Sequence, residues 1–433
     1  MGLIFGTDGI RGLVGTEITD DLAYDCGRSI AGLKSGTKIL VAQDTRVSGD
    51  RIMLAFSSGA ISGGALVTSI GIAPTPCVSF LTKKLGFDFG VVISASHNPP
   101  EYNGIKIFDA AGHKINEDTE KRIEKNLFIK SKCERYGKFN QDSKIVSYYL
   151  NHLIKLADNH LKLTVVLDCS NGAAYKIAPS VFKKLGAKVY SYNSKCDGEN
   201  INNNCGALHI DYLKKKVKKL NADVGFAFDG DADRVIAVDG NGEEFDGDQI
   251  ICFLAKFLPK LNDEKEARVV STILTNKGIE EHLLSHGIEM YRSDVGDKYV
   301  KELMNKTNCR IGGEQAGHII IEPFSNTGDG VLTAVVLATI MSSQNVKLED
   351  HRVKSLLFQE SRNIIVKDKS FVFSSNEFKD IKNMAEALVG NGRVVIRPSG
   401  TEPKIRVMVE HEDLEFAKSL ADSIVGQISK IEQ

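Results

Sequence analysis

The feature that most constrains this chain is a unit that recurs three times along it. Each copy opens with an apolar, strand-like run ending in a polar loop. These are Ile39-Leu40-Val41-Ala42 into Gln43-Asp44-Thr45-Arg46, Val165-Val166-Leu167 into Asp168-Cys169-Ser170-Asn171-Gly172, and Val269 to Leu274 into Thr275-Asn276-Lys277-Gly278. A helical stretch follows, then a glycine and a second strand, at Gly64-Ala65-Leu66-Val67, Gly186-Ala187-Lys188-Val189 and Gly287-Ile288-Glu289-Met290. Strands alternating with helices imply right-handed βαβ crossovers and a mixed or parallel sheet. Any α/β chain shows echoes of this kind, so the repeat gains weight only from the loops it delivers.

Each copy ends in one more polar loop after a strand. The first is Ser94-Ala95-Ser96-His97-Asn98, after Val91 to Ile93 and closed by Pro99-Pro100. Two prolines stop strand and helix alike, which lifts an exposed hydroxyl, Ser96, and an imidazole, His97, out of the sheet. Open α/β sheets bind ligands at this carboxyl end of their strands. A serine-rich turn without chemistry is the competing reading. The second loop is Asp229-Gly230-Asp231-Ala232-Asp233-Arg234, and the third is Gly313-Glu314-Gln315-Ala316-Gly317-His318.

From about Ile365 the pattern changes to one helical stretch, then Val394-Val395-Ile396 into Arg397-Pro398-Ser399-Gly400-Thr401-Glu402-Pro403, a strand and a terminal helix. The expected architecture is three similar α/β domains with mixed sheets and a smaller C-terminal α+β domain, around a central cleft. The boundaries read as 1–150, 151–250, 251–364 and 365–433.

The second loop carries the sharpest chemistry. Asp229, Asp231 and Asp233 alternate with small residues, so their carboxylates are brought together and repel unless a cation neutralises them. An all-oxygen set favours Mg²⁺ or Ca²⁺ over zinc. An EF-hand fails, because its twelfth position would be Gly240 rather than Glu. In the C-terminal loop Arg397 and Arg406 offer forked donors, Ser399 and Thr401 hydroxyls, and Gly400 an open backbone, a set suited to phosphate. A plain Ser-Gly turn is the bland alternative. Glu314 can accept hydrogen bonds from sugar hydroxyls or an amine, and His318 can carry a proton, although a structural Glu–His pair is equally consistent with the spacing. Together the loops suit phosphoryl transfer to or from a sugar.

The bulk properties exclude some classes. Lys and Arg number 55 against 56 Asp and Glu, a net charge of -1, which argues against a general nucleic-acid binder. The eight cysteines contain no C-x-x-C pair and read as reduced packing residues of a cytoplasmic protein. Met1 to Thr7 lacks the basic and apolar regions of a signal peptide. Val331 to Met341 is too short to span a bilayer and reads as a buried helix. The run Lys214 to Lys219 reads as a solvated helix face over Leu213, Val217 and Leu220.

In order and composition, Gly6-Thr7-Asp8-Gly9-Ile10-Arg11-Gly12 and the four loops resemble the motifs of the α-D-phosphohexomutase superfamily across essentially the whole chain. The Gly-Glu-Gln form of the third loop, Asn171 to Lys176 and Asn204 to His209 resemble its glucosamine phosphate branch. That branch interconverts the 6- and 1-phosphates on the way to UDP-N-acetylglucosamine. Ala316 departs from the pattern, which usually has serine there, and this bears on the choice of sugar. The resemblance implies a phosphorylated Ser96 whose phosphate, with Asp229, Asp231 and Asp233, holds Mg²⁺. It implies Arg11 and Lys106 at the transfer site, with Lys106 a proton acceptor if partial burial lowers its pKa, and His97 and His318 as the other candidates. Arg234, Asp297, Lys298 and Glu314 would contact substrate, and Arg397, Ser399, Gly400, Thr401 and Arg406 would hold the phosphate that is not reacting. It further implies a hexosamine phosphate substrate, a sugar 1,6-bisphosphate activator, no membrane or nucleic-acid partner, and room for a homodimer. A phosphomannomutase/phosphoglucomutase, a simple phosphatase and a catalytically silent sugar-phosphate sensor are the alternatives.

Overall fold

A computed structural model describes residues 5–6, 8–127, 136–157, 160–258, 267–399 and 403–431. Four sheets follow one another along the chain. In the first, Lys38–Gln43 pairs in parallel with Leu66–Ile72 and Phe89–Ile93, and Phe89–Ile93 turns back antiparallel into Tyr102–Phe108. The second repeats this with Thr164–Asp168 parallel to Lys188–Tyr192 and Val224–Phe228, which returns as Val235–Asp239. The third repeats it again with Ala267–Thr272, Ile288–Ser293 and Ile311–Gly313, returning as Ile319–Ile321.

The common plan explains where the chemistry lies. In each sheet the third strand of the unit ends in an antiparallel hairpin, and the hairpin loop is the polar loop singled out in the sequence. Strands such as Val224–Phe228, buried at every position, continue as apolar runs because both faces of the sheet are covered. The loops leave the apolar packing between sheet and helices, and most of the clustered polar residues lie on them.

The fourth sheet is antiparallel, with Lys404–His411 between Phe358–Ile365 and Arg393–Pro398. Phe358–Ile365 belongs to it throughout, so the fourth unit begins before the expected 365. The expected divisions at 150 and 250 fall inside the helices Val146–Ile154 and Gly247–Phe257. The fourth unit also has two helices before Arg393 rather than one, Lys369–Ser374 and Asn376–Leu388.

Packing divides the molecule unevenly. One face of the first sheet, through Leu40, Val92 and Phe108, shares a continuous core with the second and third units. Its other face packs under the helices Asp20–Ala31 and Gly49–Ser62 as a separate core. The fourth unit has a core entirely of its own, built from residues such as Ile405, Val407, Val409, Ile424 and Phe378. The expected buried helix is present as Gly330–Gln344, and Leu213 and Val217 anchor the lysine-rich helix Asp211–Leu220. The cysteines among the described residues are all free, and all but Cys196 are buried. No helix among those residues is long and apolar enough to cross a membrane.

Asp329 caps the helix Gly330–Gln344 through Leu332 N–H at 2.9 Å, and Tyr149 O–H donates to both its oxygens at 2.8 Å. Burial pushes this carboxyl from 3.8 up to about 7, against those hydrogen bonds. Between these values the folded state holds a proton that the unfolded chain has released, so stability falls as pH rises through this window. Asp329→Asn keeps the cap without the charge. Its melting midpoint is expected to exceed the wild type's by several °C at neutral pH, at about 2–4 °C per kcal/mol. The gain should shrink toward pH 5, and thermal unfolding followed across pH checks the sign.

Candidate active site

The first loop is held from below by an arginine that the motifs did not single out. Arg46 is fully buried and pairs with Asp44 at 2.9 Å. Its remaining N–H groups donate to the carbonyls of Ser96 (3.0 Å), Asn98 (2.7 Å), Tyr102 (2.8 Å) and Pro99. A rigid guanidinium fork thus satisfies four carbonyls of a loop that cannot form secondary structure. Asp44 also accepts from Ser94 Oγ at 2.6 Å, and Ser94 Oγ accepts Ser96 N–H at 2.9 Å. Ser94 is therefore a brace. Its sequence signal was position alone: Gln43-Asp44-Thr45-Arg46 ends the first strand of the first unit.

Ser96 takes φ 51°, the left-handed region, which costs a non-glycine residue on the order of 1 kcal/mol or more. It was expected at an exposed tip, yet it is fully buried, because the second unit's loop closes over it. Gly230 makes that closure sterically feasible: a Cβ there would lie 2.5 Å from Ser96 O. Ser96 Oγ donates to Asp229 Oδ2 at 2.6 Å and lies 3.3 Å from His97 Nδ1. Asn202 donates to the carbonyls of Ser96 and Asn98 at 2.8 and 3.0 Å, and Thr75 reaches Asp231 from the first unit at 2.5 Å.

Asp229, Asp231 and Asp233 are all buried, with ligand oxygens within 4.8 Å of one another. Burial and repulsion from Asp233 and Asp231 push Asp229 well above the usual carboxylate range. Burial would raise the other two as well, but Lys106, bonding Asp231 at 2.7 Å and Asp233 at 3.0 Å, together with Thr75 on Asp231 and with His318 and Arg234 by Asp233, holds both below the usual carboxylate range. Asp231 Oδ1 and Asp233 Oδ1 have no hydrogen-bond donor. Two orphaned, buried carboxylate oxygens beside a third carboxylate fit a hard divalent cation.

The surrounding charges extend the cluster. Asp8 pairs with Arg11, Lys106 and Lys114, and Lys114 also pairs with Asp297 from the third unit. Arg234 N–H donates to Asp229 at 3.2 Å, and its guanidinium lies 3.9 Å from Asp233. His318 accepts Gly328 N–H on Nε2 at 2.9 Å, which puts its ring proton on Nδ1, 3.8 Å from Asp233. Asp8 and Lys114 were not anticipated; the first lay within a glycine-rich motif, and the second carried no signal.

Three expectations change in detail. Lys106 was a candidate proton acceptor on the condition that partial burial lower its pKa. It is buried completely, but Asp231 and Asp233 outweigh desolvation and raise its pKa, so it stands here as an ammonium. His97 goes the other way, held at about 3 by burial and by Arg234 and Arg11, and is neutral at physiological pH. Glu314 and His318, four apart, face different neighbours. Glu314 accepts Gly296 N–H at 3.0 Å, and His318 turns to the aspartates. Gly317 is required between them, with φ +89° and Val235 O only 2.2 Å from any Cβ.

The structure brings Ser96, His97, Arg11, Lys106, Arg234, Asp297 and His318 around the aspartates. Lys298 instead pairs with Glu117 at 2.9 Å, where the third unit meets the first. Ala316 is exposed on the loop tip. Arg397 lies directly opposite Arg406 across two strands, and Ser399 is buried beside them, its carbonyl accepting from Lys369 at 2.6 Å. Gly400 and Thr401 fall outside the described residues.

This constellation is that of a sugar phosphomutase family. The models for phosphoglucomutase/phosphomannomutase α/β/α domains I, II and III match residues 2–133, 147–242 and 246–356, and the C-terminal domain matches 362–427. The chain belongs to this family, the α-D-phosphohexomutases. Within it, the chain is 42% identical to phosphoglucosamine mutase of Clostridioides difficile, over 98% of both proteins. Its fold matches that of a phosphoglucomutase/phosphomannomutase family protein from Burkholderia thailandensis with TM-score 0.82 at 22% identity, covering 99% and 97% of the two chains. It also matches Aspergillus fumigatus N-acetylphosphoglucosamine mutase in complex with GlcNAc-6P and magnesium, with TM-score 0.66 at 16% identity, covering 99% and 96%.

Asp231→Asn exchanges one charged oxygen ligand for an amide. It is expected to weaken Mg²⁺ binding by about tenfold or more, read as the Mg²⁺ concentration that shifts the melting midpoint. An unchanged titration would count against the triad. Arg46→Ala leaves Asp44 buried without its partner and is expected to cost ~3–5 kcal/mol of stability, measurable by denaturant unfolding.

Proposed function

We propose that the chain interconverts glucosamine 6-phosphate and glucosamine 1-phosphate in the cytoplasm, through a phosphorylated Ser96. The observation that carries this reading is the 2.6 Å bond from a strained, buried serine to the first of three clustered carboxylates. A pure sugar-phosphate sensor has no use for that nucleophile.

In the forward step a sugar hydroxyl oxygen bonds to the phosphoserine phosphorus as the bond from phosphorus to Ser96 Oγ breaks. The hydroxyl proton ends on Ser96 Oγ, which lies 3.3 Å from His97 Nδ1. Mg²⁺ held by Asp229, Asp231 and Asp233 would supply charge to the transferring phosphoryl group. Arg11, Lys106 and Arg234 add fixed positive charge where negative charge develops. His318, braced by Gly328 and Asp233, and Asp297 face the sugar from the third unit. Arg397, Arg406 and Ser399, with Gly400 and Thr401 in the same loop, hold the phosphate that is not reacting. The bisphosphate then turns round and returns its other phosphate to Ser96, and a free sugar 1,6-bisphosphate recharges enzyme that has lost its phosphate.

Glu314 gives the sugar preference, its carboxylate pairing with the ammonium at C2. Glucosamine 1-phosphate is expected to turn over faster than glucose 1-phosphate, and the reverse order would move the chain to the phosphomannomutase/phosphoglucomutase reading. Ser96→Ala is expected to abolish turnover and the added phosphate mass while the protein still melts cooperatively. Loss of activity in Ser94→Ala but not Ser96→Ala would overturn the nucleophile.

A further inference from the structure

The fourth unit uses only one face of its sheet for its core. Ile364, Ile405, Val407 and Val409 turn toward the helices Asn376–Leu388 and Leu414–Ile428. Side chains alternate along a strand, so the opposite face carries Arg393, Arg397, Arg406 and Glu410. The register sets Arg393 across from Glu410 and Arg397 across from Arg406. The two pairs therefore lie on one face, four residues apart, or about 13 Å at ~3.3 Å per residue.

Their surroundings differ. Arg397 and Arg406 are like charges directly opposite each other, an arrangement that costs stability unless an anion lies between them. Arg393 and Glu410 are opposite charges engaged with the third unit. Glu410 is fully buried and accepts from Arg393 at 2.8 and 2.9 Å and from Lys277 N–H at 2.6 Å, the first residue of the helix Lys277–Ser285. Arg393 donates to the carbonyls of Ile273 at 2.8 Å and Thr275 at 2.7 Å, and Gln359 donates to Leu274 O at 2.8 Å. The segment they grip is itself fixed by Asp248, which accepts from Thr275 Oγ1 at 3.0 Å and Asn276 N–H at 3.2 Å. Two residues before Asp248, Asp246 accepts from Gln315 in the sugar loop at 3.3 Å.

No hydrophobic core among the described residues joins the third and fourth units. The joint is made of hydrogen bonds, most of them charge-assisted, which are directional where apolar contact is not. It therefore sets an angle. Its far end is the arginine pair, and both share two rigid strands.

We infer that Arg393 and Glu410 are positioning residues: their ion pair plugs the fourth unit into segment 273–277 and so aims Arg397 and Arg406 at the substrate phosphate held across the cleft. This rests on the mutase reading given above. Neither side chain touches substrate. Breaking the pair lets the fourth unit tilt, which weakens the grip on the outer phosphate without altering the groups around Ser96.

The test uses the purified full chain and steady-state kinetics in both directions, with free bisphosphate measured alongside. Arg393→Ala is expected to raise KM about tenfold in both directions with kcat changed less than about threefold, and to release more bisphosphate per turnover. Arg393→Lys is expected to fall between wild type and Arg393→Ala. Arg393→Ala combined with Arg397→Ala should be little worse than Arg397→Ala alone, since both act on one grip. Glu410→Gln, which keeps the side chain's shape, is the second variant should Arg393→Ala fold poorly. Wild-type KM in both Arg393→Ala and Glu410→Gln, a loss confined to kcat, or multiplicative effects in the double variant would overturn the inference. Binding of inorganic phosphate, measured by calorimetry, separates the two layers. A wild-type chain inactive on hexosamine phosphates, yet binding phosphate more tightly than Arg393→Ala, would refute the mutase reading and support the positioning role. Equal phosphate affinities would refute the positioning role.

Discussion

Three carboxylates within 4.8 Å of one another, all out of water, are the constraint on which this structure depends. Burial and mutual repulsion act together there, and neither is relieved by hydrogen bonding alone. Lys106 answers part of the charge from the first unit, and Asp229 keeps its oxygen under the Ser96 hydroxyl. Around the triad Arg11, Lys106, Lys114 and Arg234 stand against Asp8, Asp229, Asp231, Asp233 and Asp297. The positive charge stops short of one point, where Asp231 Oδ1 and Asp233 Oδ1 lack donors. A divalent cation bound there would supply the positive charge that those two oxygens lack.

Holding that cluster requires the first and second units to act as one body. Thr75 and Ser96 each bond an aspartate of the second unit, Asn202 returns bonds to the serine loop, and Gly230 lets the two backbones meet. Their cores are continuous as well. The fourth unit is the opposite case, with a closed core and a polar joint. Chemistry that must be rigid is placed where packing is shared. The arginine pair Arg397 and Arg406 is placed on the unit whose packing is interrupted.

The sequence was legible where one residue type had a single physical use. Apolar runs ending in polar loops marked the three hairpins, because a strand covered on both faces cannot carry polar clusters until it leaves the sheet. Alternating aspartates marked a clustered carboxylate site, because buried side by side they repel and need positive charge against them, part of which Lys106 supplies. Arg46, Asp8 and Lys114 were not legible. Each also acts through partners 50 or more residues away, such as Arg46 on Ser96 O and Lys114 on Asp297, and no local pattern reveals those partners.

By itself, then, the chain's order of residues determined the repeated α/β plan, the polar loops at its strand ends and the clustering of their aspartates. Those follow from periodicity and from charge, which are local properties. The tertiary structure alone decided which charges meet, and so their protonation. Lys106 keeps its proton at full burial because Asp231 and Asp233 arrive from another unit. Ser96 is buried rather than exposed because a glycine in another loop lets that loop close over it. Burial energies and Coulomb terms depend on distances between segments far apart in the chain, and only folding sets those distances.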